Sequence, residues 1–533
     1  MSLFRSAATI SSLTFLSRLT GLARDIIIAR AFGASALTDA FWVAFRIPNL
    51  LRRLFAEGAF SQAFVPILGA YKEQYSEKEV KHLVDHVALI LGATLLLVSL
   101  LGALFAPFIV AIMASGIARE GGQPFEAAVW MTRVMFPYIF CMSLVALASG
   151  VLNTWRKFAI PAFTPILLNL SMIGAAITLV NQFELPIYAL AAGVMIGGFL
   201  QLATQWLALA NIGMLPKPSL RIGEAWKNST VRRIIKLMGP ATIGVSVAQI
   251  SLLINTNIAT WLPGGSVSWL SFADRLMEFP TALLGIALGT VLLPSLAAAH
   301  AKADHLRYSQ LMDWGLRLIC LLGLPCMVGL ALLSEGLVAT LFNYGAFSSH
   351  DVAQTQVAVI AYGFGILGIL AVKILAPGFY AKQDIRTPVK IAIIVLVLTQ
   401  LMNIVLVPLL KHSGLALSIG LGATINSLLL YRGLRRRNIY QPSGGWLTFF
   451  IRLLPALALM ALWLILCSSV ISWGQDSTSG LIYTLSQQWA IFASASFVIW
   501  RLIVLFGVLL GSGLIYFIAL FISGFRIRDF LNR

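Results

Sequence analysis

The chain has 533 residues, 59% of them hydrophobic and only 11% charged, with a mean hydropathy of +0.89, which excludes a water-soluble globular protein and indicates a polytopic membrane protein. Its 43 Gly and 20 Pro fall largely inside apolar runs, as helical bundles allow and barrels do not, because neighbouring helices and water satisfy the freed backbone groups. The formal charge of +18 would fit nucleic acid only if the basic residues formed one concentrated domain, and they are dispersed.

A window of about 20 apolar residues marks spans near 8–32, 38–69, 84–113, 129–152, 159–180 and 186–210. After the basic connection "PKPSLRIGEAWKNSTVRRIIK", six more follow near 238–261, 271–299, 313–333, 353–380, 389–410 and 414–431, then two near 447–472 and 491–523. The expectation is an all-α protein with 14 transmembrane helices and both termini on one side. With the N-terminus in the cytoplasm, the inside segments hold twenty-four Lys and Arg and the outside loops only Arg119 and Lys411, a strong positive-inside asymmetry. The first run lacks a small-residue cleavage site and is broken by arginine, so the first helix is expected to be retained. Cys141, Cys320, Cys326 and Cys467 lie in apolar segments without metal-ribbon or paired-loop spacing and read as packing or lipid-facing residues.

Pro66 and Pro294, each closing the second span of its set of six, are 228 residues apart, as are Gly150 and Gly378, while Pro161 and Pro388 are 227 apart. The two halves therefore read as duplicated six-helix lobes, 1–215 and 216–440, with 441–533 left as two additional helices. Six is even, so the copies share an orientation, and a parallel repeat implies a pseudo-twofold axis along the membrane normal around a central cavity.

Several basic residues fall inside spans. Arg133, Arg317, Arg452 and Arg501 lie near helix ends, where they are expected to snorkel to the interface; on that reading Arg501→Ala is tolerated. Arg18 and Arg24 lie deeper in "FLSRLTGLARDIIIARAFG", where lipid exposure would cost about 2.5–3.5 kcal/mol each. Steps of six residues leave Arg18, Arg24 and Arg30 about 120° apart on an ideal helix, so convergence requires long side chains or a bend near Gly21. In the second span Asp39, Arg46 and Arg53 recur every seven residues and Glu57 follows Arg53 by four, a spacing that permits mutual neutralisation; Arg52 is rotated off that face.

The repeat supplies a control, because 228 residues beyond Arg18, Arg24 and Arg30 stand Ser246, Leu252 and Ile258. The second half instead carries "SFADRLMEFP", with Arg275 between Asp274 and Glu278 ahead of Pro280. Arg18, Arg24, Arg52 and Arg275 are thus placed to line one hydrated chamber. Forked, permanently charged, weakly hydrated guanidinium groups match a diphosphate better than a cationic drug.

The segments "SRLTGLARD", "TDAFWVAFRIPNLLRRLFAEGAFSQAFVPIL", "LNTWRKFAIPAFTPILLN", "GSVSWLSFADRLMEFP", "LMDWGLRL" and "VKILAPGFYAKQDIRTPVK" resemble, over nearly the whole chain, those of the MurJ (MviN) family of lipid II flippases in the multidrug/oligosaccharidyl-lipid/polysaccharide exporter superfamily. The resemblance implies alternating access between lobes of helices 1–6 and 7–12, and a groove beside helices 13 and 14 for a polyprenyl tail. It implies Arg18, Arg24, Arg52 and Arg275 as substrate-binding residues, supported by Ser17, Asp25, Asp39, Asp274 and Glu278. Lipid II in the bacterial inner membrane is the implied cargo, with membrane lipids and the cell-wall synthesis machinery as partners of a monomer, and with no metal, cofactor or nucleic acid.

Spans 7 and 11 contain no carboxylate, so sodium coupling is not expected, and an inside-negative potential would favour anion export by about 2.3 kcal/mol per charge per 100 mV. Three other readings differ in testable ways. An exporter of another polyprenyl-diphosphate-linked saccharide would share the arginines. A drug or cation antiporter would carry intramembrane carboxylates in excess of arginine, and a transferase or phosphatase would place paired acids or a histidine beside the arginines. Neither pattern is present. "GFGILG" lacks a preceding strand and reads as a packing surface, "HLVDH" at 82–86 as a solvated helix start, and no Walker A run exists.

Overall fold

The computed structural model describes residues 3–51, 53, 60–217, 221–474, 480–488 and 496–526. Among them all regular structure is helical, as expected where each segment must satisfy its own backbone groups in lipid. Contacts divide the chain into two compact units, 1–268 and 269–533.

The first unit contains α1 (Leu3–Phe32), α2 (Ala36–Leu51), α3 (Ser61–Gln74), α4 (Glu77–Leu104), α5 (Ala106–Met113), α6 (Ser115–Glu120), α7 (Gly122–Met135), α8 (Tyr138–Thr154), α9 (Ala159–Thr178), α10 (Tyr188–Asn211), α11 (Ile222–Lys227), α12 (Ser229–Ala259) and the first turn of α13 (Ser266–Ala301). The second holds the rest of α13, then α14 (His305–Leu332), α15 (Ser334–Phe342), α16 (Ser349–Gly363), α17 (Ile366–Tyr380), α18 (Arg386–Arg436), α19 (Trp446–Val470), α20 (Leu481–Gln488) and α21 (Ser496–Ile522).

The duplication extends to helix boundaries. Helix α4 begins at Glu77 and ends at Leu104, and α14 begins at His305 and ends at Leu332, both 228 residues on. The caps repeat too: Ser76 accepts from the Glu79 amide, and Asp304 from the Arg307 amide. Ser76 is also bonded by the Glu79 carboxylate in a reciprocal capping box, and its hydroxyl, followed by its amide, holds that carboxyl below its usual pKa. Helices α8 and α17 are each followed within three residues by a left-handed residue, Arg156 (φ 57°) and Gln383 (φ 59°). Helix α12, first of the second copy by sequence, packs on α3, α4 and α11 of the first unit.

Nine helical segments among the described residues are long and apolar enough to cross a membrane. One, Arg386–Arg436, is two helices joined at Lys411 (φ 52°, ψ −131°), which fold back so that Gly422 packs on the Thr399 side chain and Gly414 on the Leu406 carbonyl. Near the start of α4, Asp85 accepts from Lys81 Nζ (3.2 Å) and the Lys217 amide (3.0 Å), so "HLVDH" fastens the connection that follows α10.

The last helices are fixed to α14 and α15 at three levels. Near the start of α14, Ser309, Asp313 and Arg317, four residues apart and so on one face, grip the linker into α19. The buried Asp313 carboxylate accepts from the Tyr440 and Ser443 hydroxyls, the Ser443 amide (2.7 Å) and Trp446 Nε1 (3.3 Å). Arg317 donates to the Gly444 carbonyl at 2.7 Å and lies over the Trp446 ring, and Ser309 accepts from the Gln441 amide at 3.1 Å. Midway, the Tyr516 hydroxyl donates to the Leu321 carbonyl at 2.5 Å, an acceptor freed because Pro325, four residues on, has no N–H.

The third attachment corrects the expectation for Arg501. Its side chain is fully buried rather than at an interface; it donates to the Asn343 carbonyl at 3.4 Å and stacks its guanidinium over Tyr344 and Phe497. Arg317, too, is engaged by the linker instead of snorkelling, whereas Arg452 is exposed as expected. Arg501→Ala is therefore expected to destabilise the protein by about 2–5 kcal/mol, the range for emptying a packed site. Thermal unfolding in detergent measures this, and an unchanged midpoint would return Arg501 to the snorkelling class.

Candidate functional site

Helix α1 packs along α9, and this packing builds the first cluster. Neighbouring residues on a helix diverge by about 100°, yet the Arg24 side chain folds back so that Nε and Nη2 both donate to Asp25 Oδ1, at 2.8 and 2.7 Å. Its Nη1 donates to Asn169 Oδ1 of α9 at 3.2 Å. Arg24 is 6% exposed and Asp25 2%, so lipid is kept from the pair by protein.

Asn169 is amphoteric, and its other end is used as well. Its Nδ2 donates to the Ser17 carbonyl and to Thr20 Oγ1, both at 3.1 Å. Helix α1 runs unbroken through Gly21, and the glycine expected to bend it serves close packing instead. A β-carbon there would already touch Asn169 Nδ2 at 3.5 Å, so any larger side chain would push α9 away. Arg18 is half-buried six residues before Arg24, and Arg30 is exposed at the end of the helix.

Asp39 forms a second cluster. It lies in the first turn of α2 and caps the start of α13: Oδ1 accepts from the Ser268 amide (2.8 Å) and hydroxyl (2.6 Å), and Oδ2 from the Gly265 amide (2.7 Å). One carboxylate thus meets two helix N-termini, where the backbone dipoles favour negative charge. Asp39 takes these donors instead of the Arg46 expected from the spacing along α2, and Arg46 donates to the Thr256 hydroxyl of α12. Arg53 is exposed; Arg52 and Glu57 lie outside the described residues.

Beside this cap a hydrogen-bonded seam joins α12 to α5 and α6. Asn257 Nδ2 donates to the Ile112 carbonyl at 2.6 Å, Ser115 Oγ donates to Asn257 Oδ1 at 2.9 Å, and Trp261 Nε1 donates to Ser115 Oγ at 2.8 Å. At Gly116 a β-carbon would lie 2.0 Å from the Thr260 carbonyl oxygen; no other residue permits this approach.

In the second unit Arg275 Nη1 pairs with Glu278 Oε2 at 2.9 Å, one turn along α13, with the side chains 29% and 44% exposed. A half-exposed pair of this kind contributes little to stability, ~0–1 kcal/mol. Asp274 is exposed. Lys373 of α17 donates to the Thr281 carbonyl at 2.9 Å. Of the residues singled out by sequence, Ser17, Arg24 and Asp25 are brought together in the first unit, Asp39 stands in a separate cluster, and Arg275 and Glu278 form a pair in the second. Asn169 was missed, although it closes the quoted segment "LNTWRKFAIPAFTPILLN": a neutral amide in an apolar run carries no charge signal.

A duplicated helical fold with nine segments among the described residues long and apolar enough to cross a membrane defines a polytopic membrane protein. The fold is shared with solved structures: one described as "Lipid II flippase MurJ, inward closed conformation" matches with a TM-score of 0.72 at 24% identity, covering 93% of this chain and 97% of that one. An inward-facing multidrug resistance MATE family transporter matches with a TM-score of 0.64 at 16% identity, over 81% and 98% of the two chains.

The chain belongs to the MurJ family, whose model, "Lipid II flippase MurJ", matches residues 28–484. It is 56% identical over 461 residues to the lipid II flippase MurJ of Burkholderia cenocepacia, covering 86% of this chain and 89% of that one. It is 41% identical to a probable lipid II flippase MurJ from Haemophilus influenzae, over 85% and 90% of the two chains.

Proposed function

We propose that this protein carries lipid II from the cytoplasmic to the outer leaflet of the bacterial inner membrane, as a multi-pass carrier with both termini in the cytoplasm and without covalent chemistry of its own. The 56% identity to a lipid II flippase over 461 residues carries this reading, and the buried Arg24–Asp25 pair of α1 supports it.

In this reading the two sequence repeats, 1–215 and 216–440, are the bodies that rock about the substrate, and 441–533 forms the bed for the polyprenyl tail. Arg18, Arg24, Arg52 and Arg275 receive the diphosphate, which competes with Asp25 and Glu278 for guanidinium groups already neutralised. Pairing keeps the unloaded site tolerable in a low dielectric. Exchange for a diphosphate then replaces one charge-assisted interaction by another of similar strength, so that cargo can also leave.

The direct test is flipping of purified lipid II in proteoliposomes containing the full chain. Transport is expected, with no cleavage of the diphosphate; absence of flipping under conditions where the protein is folded overturns the proposal. An inside-negative potential is expected to accelerate export, since each outward negative charge gains about 2.3 kcal/mol per 100 mV. Initial rates that stay constant when an ionophore collapses the potential would remove it as a driving force.

A further inference from the structure

We propose that Asn169 is a positioning residue for the Arg24 guanidinium, setting the direction in which Arg24 meets the diphosphate; this rests on the proposed role of Arg24. Asp25 alone cannot fix that direction. Both of its contacts to Arg24 fall on one oxygen, Oδ1, so the guanidinium can pivot about that point. Asn169 Oδ1 holds the opposite corner, Nη1, at 3.2 Å, and two anchored corners define the plane of the fork.

The amide is itself oriented. Its Nδ2 is held by the Ser17 carbonyl and Thr20 Oγ1, both at 3.1 Å, which leaves only Oδ1 facing Arg24, and the side chain is 7% exposed. All three contacts link α9 to a single stretch of α1, so any sliding of α1 along α9 rotates the guanidinium with it. The scaffold does not demand an amide at this position, because the residue 227 further on, in the register of Pro161 and Pro388, is Leu396. Planar, bidentate recognition of phosphate depends on the angle of the fork as well as on its charge.

The test uses full-length protein in proteoliposomes with purified lipid II. Asn169→Leu, of similar volume, and Asn169→Ala are each compared with the parent and with Arg24→Ala. The expected result is a rise of about 10- to 100-fold in the lipid II concentration giving half-maximal flipping, the range for losing a hydrogen bond to a charged group. The maximal rate should change less, and the melting temperature of Asn169→Leu should stay close to that of the parent. A purely structural role would lower the melting temperature and the maximal rate together without raising the half-maximal concentration, and that outcome overturns the proposal. So does wild-type behaviour of both Asn169 variants while Arg24→Ala abolishes binding, which leaves the proposed function standing. If Arg24→Ala itself binds and flips normally, the underlying reading of Arg24 falls instead.

Discussion

Arg24→Ala is expected to abolish flipping and also to destabilise the protein, and Asp25→Asn in the same chain is expected to restore the stability without the flipping. The reason lies in the pair's burial. With Arg24 6% and Asp25 2% exposed, removing the guanidinium takes the two hydrogen bonds of Arg24 from a carboxylate in a low dielectric, which costs roughly 3–5 kcal/mol. Neutralising Asp25 removes that penalty, yet nothing then remains to hold the diphosphate at this position. Thermal unfolding in detergent reads the first effect and lipid II flipping the second. Should the double variant regain transport along with stability, Arg24 would be a structural ion-pair member and the phosphate site would lie elsewhere.

The order of the spans and the duplication were legible because both are written in long-wavelength patterns: apolar length, Gly and Pro punctuation, and an asymmetry of Lys and Arg. The 228-residue register inferred from the Pro66/Pro294 and Gly150/Gly378 pairs recurs in the ends of α4 and α14. What was not legible depends on partners distant in sequence. Arg501 stands near a helix end, which fits snorkelling and burial equally, and only the packing of α21 against the Asn343 loop decides between them. Asp39 and Arg46 share a face of α2, so local spacing favoured their pairing, but three donors at the start of α13 offer Asp39 a better-directed site. Gly21 could equally mark a bend or a close approach, and the distinction needed the position of Asn169 on another helix.

Asp39→Ala is the second change expected to stop transport, by a different route. Its carboxylate holds the start of α13 against the start of α2 through three hydrogen bonds, beside the seam that α12 makes with α5 and α6. Alternating access requires a closed outer face in one half of the cycle, and the proposed topology puts this cap and seam on that face. Alanine leaves the Gly265 and Ser268 amides without their acceptor, a loss on the order of 3 kcal/mol, or ~100-fold in an equilibrium constant. The closed arrangement should therefore become the minor one. Ala36 packs on Gly264 within this contact, so a cysteine at position 36, in a chain lacking its four native cysteines, reports the change. An impermeant maleimide added from outside is expected to label it faster in Asp39→Ala than in the parent. Asp39→Asn should fall between, because its carbonyl can still accept from Ser268 while its amino group confronts the Gly265 N–H. Unaltered labelling together with unimpaired flipping in Asp39→Ala would show that the cap contributes nothing to closure, and the outer seal would then rest on other contacts, the Asn257–Ser115 seam and the Gly116 contact among them.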